Sequence, residues 1–100
     1  MIYYKYRDYM RNLEKIFKGL ANRRRLAIIK TLAKDSELPV AEIARRIKLS
    51  FTSTSKHLAI LYHLEILDKR QENLTVFYRV GNSIPSVVQK LLSDISNSRE

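Results

Sequence analysis

The residues best suited to chemistry lie in "SFTSTSKHL", Ser50 to Leu58, where five of nine side chains carry a hydroxyl. Hydroxyls, a lysine and an imidazole can each hydrogen-bond a phosphate or the edge of a base. Ser and Thr also compete with the backbone for hydrogen bonds, so such a run usually marks a loop. Yet the residues that follow, "AILYHLEIL", are strongly apolar and read as a helix. A helix that opens on small polar groups and a cation, then turns apolar, has a wet end and a buried body. The elements around it must hold that wet end outward.

Composition narrows what the wet end can meet. One hundred residues make one domain with a single modest core. The apolar fraction of 45% is that of a globular chain. Two Gly and two Pro leave room for long elements, and helices fit best. The absence of cysteine excludes disulfides and thiolate ligands and fits a reducing, cytoplasmic setting. "MIYYKYRDYMRN" has no apolar core like that of a secretory signal, and no run reaches membrane-spanning length, so no membrane partner is expected. The net charge of +9 favours a polyanion. Thirteen of the Lys and Arg fall in the first fifty residues and six in the last, while the acids divide evenly, so the excess lies near "NRRR" and "ARRIK".

Periodicity supplies the elements. Ile2, Tyr6, Tyr9, Leu13, Ile16 and Leu20 step by fours and threes, which predicts an amphipathic helix over residues 2 to about 19. Its C-terminal part (Leu13, Ile16, Phe17, Leu20) is expected in the core, with the tyrosines nearer a partner. Asn22 is suited to cap a second helix, "RRRLAIIKTLAK", with Leu26, Ile29 and Leu32 inward. Pro39 fits the start of a third, "VAEIARRIK". Ser50 is suited to cap a fourth, running to about Glu65, with Thr54, Leu58, Leu61 and Leu64 buried and Phe51, Thr52, Ser55, Lys56 and Ala59 opposite. Alternation in "TVFYRV" predicts a strand of a β-hairpin turning at "QENL", with Asn73 able to take positive φ. A fifth helix follows, striped by Ile84, Val87, Val88, Leu91, Leu92 and Ile95. The fold class is therefore mainly α with a small β-hairpin: a winged helix-turn-helix of five helices, its two-stranded wing between the fourth and fifth.

At this point the sequence resembles the ArsR-type (arsenic-repressor-like) transcriptional regulators, from about Leu13 to Val80. "LANRRRLAIIKTLA" is similar to the family's Leu-Ser/Ala-Asp/Asn-x-x-Arg-x-x-Ile-Leu opening. "ELPVAEIARRIKLSFTSTSKHLAIL" is similar to its ELxVxELAxxLxLSxSTVSxHLxxL signature, and "KRQENLTVFYRV" to its wing, RREGRxVYYRL. The resemblance implies a DNA-binding repressor whose first and last helices build a homodimer. Residues 1–20 and 84–98 of this single domain are suited to that, through Ile2, Tyr6, Tyr9, Leu13, Val88, Leu91, Leu92 and Ile95. The alternative is that both stripes cover a monomer core.

A recognition helix enters the major groove N-terminus first, where small side chains let the backbone approach. Thr52, Ser53, Ser55 and Lys56 are the expected direct contacts. Phe51, where the family often has Gln, either touches a thymine methyl or packs against the preceding helix. Ser50 is a cap. His57 is a structural histidine or a phosphate contact. Arg25 matches the family's common Arg and reads as an anchor. Arg23, Arg24, Arg45, Arg46 and Lys48 are candidate phosphate contacts, and Lys69, Arg70 and Arg79 place the wing along the backbone or form a solvated face.

Other chemistries find little support. The family's paired metal-binding cysteines fall here at Pro39 and Ala41, and its last-helix site has Asp94 and Glu100 but no His. No cofactor or metal is expected, and the residues name no effector. There is no cysteine nucleophile, Gly-rich phosphate loop or acid-base cluster, so an enzyme is not expected. Glu65 stands where the family usually has Gly, so the helix either runs on or ends without a left-handed cap. Double-stranded DNA is the expected partner. Two alternatives stand beside a specific regulator: an architectural protein that coats nucleic acid, and a winged-helix module that binds protein.

Overall fold

Asn22 sets the frame of the fold. Its side-chain oxygen accepts from the backbone N–H groups of Arg24 and Arg25 at 3.0 and 3.1 Å. That satisfies donors the first helical turn cannot pair internally. The computed structural model describes the backbone of residues 2–98 and the side chains of 5–98. In order these form α1 (Ile2–Leu20), α2 (Arg23–Lys34), β1 (Leu38–Pro39), α3 (Val40–Ile47), α4 (Phe51–His63), β2 (Leu67–Glu72), β3 (Thr75–Val80) and α5 (Ser86–Ser96). This is the expected winged helix-turn-helix, with one strand added.

The added strand is β1. The sheet runs β1-β3-β2, all antiparallel, with Leu38 opposite Tyr78 and Pro39 opposite Phe77. Pro39 tolerates this because it sits on an edge strand and caps α3 next. Two residues carry no alternation to read, which is why the pairing is invisible in the sequence. The hairpin pairs from Leu67 opposite Val80 to Glu72 opposite Thr75, so Gln71 and Glu72 of the expected "QENL" turn belong to β2 and the turn itself is Asn73 and Leu74. Asn73 takes φ 55° in the turn, the left-handed conformation expected of it.

The core lies where α2, α3, α4 and α5 meet the base of the wing. Ile28, Ile29, Ile43, Leu58, Leu61, Ile66 and Leu67 are fully buried there. Ile16 and Leu20 bring the end of α1 onto it. Gly19 lets that end approach closely, since a Cβ there would lie 2.2 Å from Leu64 Cδ1.

Two helices face differently from the sequence expectation. Phe17 is 43% exposed rather than in the core, because the face of α1 that meets the core carries Leu13, Ile16 and Leu20. Residues 5–12 of α1 are all exposed. On α5 the stripe splits: Val88 and Leu92 pack into the chain's own core, while Val87 and Leu91 face outward. Val88 and Leu92 therefore offer no surface to a second chain. A helical stripe wider than one contact strip must divide in this way.

α4 ends at His63, two residues short of the expected end. Glu65 takes φ 62°, its N–H bonds the Tyr62 carbonyl at 2.9 Å, and the Ile66 N–H bonds that of Leu61 at 3.0 Å. This is a left-handed Schellman termination, made by Glu in place of the usual Gly. α3 ends in the same way. Lys48 stands at φ 57°, and the Lys48 and Leu49 N–H groups reach the Arg45 and Ala44 carbonyls at 3.3 and 3.0 Å.

Candidate nucleic-acid interface

The left-handed turn at Lys48 redirects the chain so that α4 starts at once. Ser50 Oγ accepts from the Ser53 N–H at 3.1 Å, which identifies Ser50 as the cap. α4 then has two distinct sides. Thr54, Leu58 and Leu61 are buried against the core. Phe51, Thr52 and Lys56 are exposed, and Ser53, Ser55 and His57 are half-buried along their flank. Every residue read as a groove contact is thus on or beside the solvent face of one helix end.

α2 supplies a second wall. The Arg25 guanidinium donates through Nε to the Gly19 carbonyl, and its Nη1 lies 3.2 Å from His57 Nδ1. A guanidinium can only donate, so Nδ1 accepts and the ring proton sits on Nε2. Burial first, and then the charges of Arg25 and Arg24, push the His57 pKa below its ordinary value. His57 is therefore a neutral imidazole with its Nε2–H left as a donor, and its contact with Arg25 joins α2 to α4. Arg25 is the anchor the sequence suggested. Arg23 and Arg24 project from the same helix start and are exposed, and they, Lys48 and Lys56 have no ion pair among the described residues.

The other phosphate candidates, Arg45, Arg46, Lys69, Arg70 and Arg79, are engaged within the chain. Glu42 holds Arg45 through Nε at 3.0 Å and Arg46 through Nε at 2.8 Å, and Arg46 also pairs with Asp35. Those two arginines lower the Glu42 carboxyl to about 2. Arg70 Nε lies 2.9 Å from Glu37, its Nη1 2.8 Å from Glu72, and its guanidinium stacks 4.4 Å over the Phe77 ring. Both carboxylates raise its pKa. Arg79 faces Asp68 at 3.7 Å, and Lys69 Nζ sits 4.3 Å over the Tyr62 ring. The cations the sequence marked for phosphate thus separate into free Arg23, Arg24 and Lys48, and engaged Arg45, Arg46, Lys69, Arg70 and Arg79.

Two features of this surface were not anticipated. One is Glu42, a carboxylate between two arginines, recognisable in the sequence from its spacing of three and four residues. The other is Leu74 at the tip of the wing, whose exposure follows from its place in a two-residue turn. Of the residues assigned to a second chain, Tyr6, Tyr9 and Leu91 are exposed, Leu13 and Ile95 are half-buried, and the side chain of Ile2 lies outside the described residues.

Known proteins share this arrangement. Residues 22–69 match the family model for bacterial regulatory proteins of the arsR family. The chain is 38% identical over 77 residues to the transcriptional activator HlyU of Vibrio cholerae, which spans 77% of this chain and 70% of HlyU. The structure of reduced HlyU superposes with a TM-score of 0.77 at 31% identity, over 94% of this chain and 98% of that one. The arsenical resistance operon repressor of Escherichia coli is 32% identical over 79% of this chain and 68% of its own length. A homodimeric winged helix-turn-helix DNA-binding domain from Mycobacterium bovis matches with a TM-score of 0.79 at 26% identity, over 91% of this chain and 81% of that one. With its capped recognition helix, its wing and these relatives, the chain belongs to the arsR family of bacterial regulatory proteins and is a winged helix-turn-helix, DNA-binding transcriptional regulator.

Proposed function

We propose that the chain acts in the cytoplasm as a homodimeric repressor that reads a two-fold operator with the start of α4. The observation that carries this is the exposed pair Thr52 and Lys56, with Ser55 half-buried beside them, flanked by Arg23, Arg24 and Lys48, which have no ion pair among the described residues. Phosphate contacts from the cations set register and affinity, while the hydroxyls and Lys56 read base edges. The 58% exposure of Phe51 supports contact with a thymine methyl.

Dimerisation is supported by apolar surface that has no other use in one chain. Tyr6 is 63% exposed and Tyr9 47%, and Met10, Phe17, Val87 and Leu91 join them. Two copies would place two recognition helices on half-sites about 34 Å apart. The name of the Escherichia coli relative supports repression, and that of HlyU supports activation. Repression is the reading proposed, by occupancy of a promoter. Coating of nucleic acid would draw on the same net charge of +9, and comparison of a specific with a random duplex separates it from sequence recognition.

The test is an anisotropy titration at physiological salt, with a duplex from upstream of the protein's own gene and a random duplex of equal length. Sedimentation of the same samples gives the stoichiometry. Specific binding by a hundredfold or more, at two chains per duplex, is the expected result. Equal binding to both duplexes and to duplexes selected from genomic DNA would overturn sequence recognition. A reporter assay fixes the sign of regulation.

A further inference from the structure

Leu74 is 96% exposed, more than any other large apolar side chain among the described residues. It sits at the end of the wing, in a turn closed by the Glu72–Thr75 pair. Asn73 beside it takes the left-handed conformation, and its carbonyl accepts from Gln71 Nε2 at 3.1 Å, so the tip has a defined shape. The family's wing pattern, aligned through "VFYRV", carries an arginine at this position. Here the tip is apolar.

The rest of the wing does not replace the lost charge. Lys69, Arg70 and Arg79 are matched by Asp68, Glu72 and Glu37, and each is engaged within the chain. The wing is therefore close to neutral and has little electrostatic pull toward a phosphate backbone. It is nevertheless held firmly to the recognition helix. α4 passes into β2 through the Glu65 turn, and Ile66 and Leu67 at the base are fully buried. Six residues of β2 reach roughly 20 Å from that base. Docking α4 in a major groove carries the tip to the flanking minor groove. A protruding leucine on a neutral arm suits an apolar slot between base pairs, not a phosphate.

We propose that Leu74 is a minor-groove wedge, which enters between base pairs flanking the half-site and bends the duplex. Apolar side chains inserted in this way partly unstack a base step and kink the helix axis. The pyrimidine–purine steps TA and CA yield most easily, so the wing selects its flank by deformability rather than by hydrogen bonds. This rests on the DNA-binding reading above and adds to it a specificity residue outside the recognition helix.

The experiment uses the full chain with a duplex bearing donor and acceptor dyes at its ends, in which the flanking step is either TA or GC. Anisotropy and energy transfer are read together over a salt series. The variants are Leu74→Ala, Leu74→Met and Leu74→Arg, all at a position whose exposure leaves folding intact. Leu74→Ala is expected to lose about tenfold in affinity, the order of one exposed apolar contact. It should also lose the bend and the TA preference, with its salt slope unchanged. Leu74→Met should keep all three. Leu74→Arg should bind with a slope steeper by about one unit and without TA preference. If wild type binds duplex but Leu74→Ala binds and bends alike, the wedge is wrong and the DNA reading stands. If wild type binds no duplex, both fall. If Leu74→Ala alters only the sedimentation of the free protein, the leucine is a protein contact and the wedge is overturned.

Discussion

Arg25 Nη1 lies 3.2 Å from His57 Nδ1, and this contact joins the start of α2 to the recognition helix. It fixes the imidazole as the neutral form that carries its proton on Nε2. Burial and the two neighbouring arginines hold its pKa below 6.5. The folded state therefore takes up the proton less readily than the unfolded chain. The stabilising contribution is complete above pH 6.5 and is lost as pH falls through the lowered folded value. NMR titration of His57 should show that lowered value, and Arg25→Ala should move it back up. A His57 pKa at or above 6.5 in wild type would remove this account.

Thr54 is fully buried, and its hydroxyl has no hydrogen-bond partner among the described residues. An unpaired buried hydroxyl costs free energy that an apolar isostere avoids. The family signature has Val at this position. Thr54→Val should stabilise the domain by about 1 kcal/mol in urea unfolding. A loss of stability would show that the hydroxyl has a partner.

Glu65 ends α4 at φ 62°, where a side chain is strained and glycine is not. Glu65→Gly should raise the unfolding midpoint by the equivalent of about 1 kcal/mol without altering DNA affinity. If stability falls instead, contacts of the Glu65 side chain outweigh its backbone strain.

Glu42 pairs with Arg45 and Arg46, the two arginines of α3 proposed as phosphate contacts. Its pKa near 2 keeps it charged across the physiological range. Any stability this pair adds is present above pH 4.5 and lost only as pH falls through about 2. Exposed pairs of this kind contribute little to folding. Glu42→Gln should release the arginines, tighten binding to random duplex and steepen its salt slope by roughly one unit per arginine that reaches a phosphate. An unchanged slope would place α3 away from the backbone.

Specificity and affinity should separate by residue. Thr52→Ala should reorder preference among operator variants, since its hydroxyl is exposed at the start of α4. Arg24→Ala should weaken every duplex by a similar factor and flatten the salt slope by about one unit. Competition binding with a panel of single-base variants distinguishes the two patterns. Identical patterns for both substitutions would contradict the division of roles.

What the sequence determined by itself was local. Asn22 and Ser50 mark helix starts because a short polar side chain can satisfy a neighbouring N–H two or three residues on. Asn73 marks the turn because it accepts positive φ. Alternation marks β3 as a strand, and the period of α4 separates Thr54, Leu58 and Leu61 from Thr52 and Lys56. The family motifs then follow from these elements in order. Only the tertiary structure decided what depends on distant partners. Arg25 meets His57 across 32 positions and Arg70 meets Glu37 across 33, and no spacing rule in a single sequence predicts either. The pairing of Arg70 with Glu37 and of Arg79 with Asp68 turned on such meetings, while that of Arg45 and Arg46 with Glu42 follows helix spacing. Which half of an apolar stripe faces inward was decided in the same way. Phe17 and Val88 look alike in periodicity, but the chain folds over Val88 and leaves Phe17 in solvent.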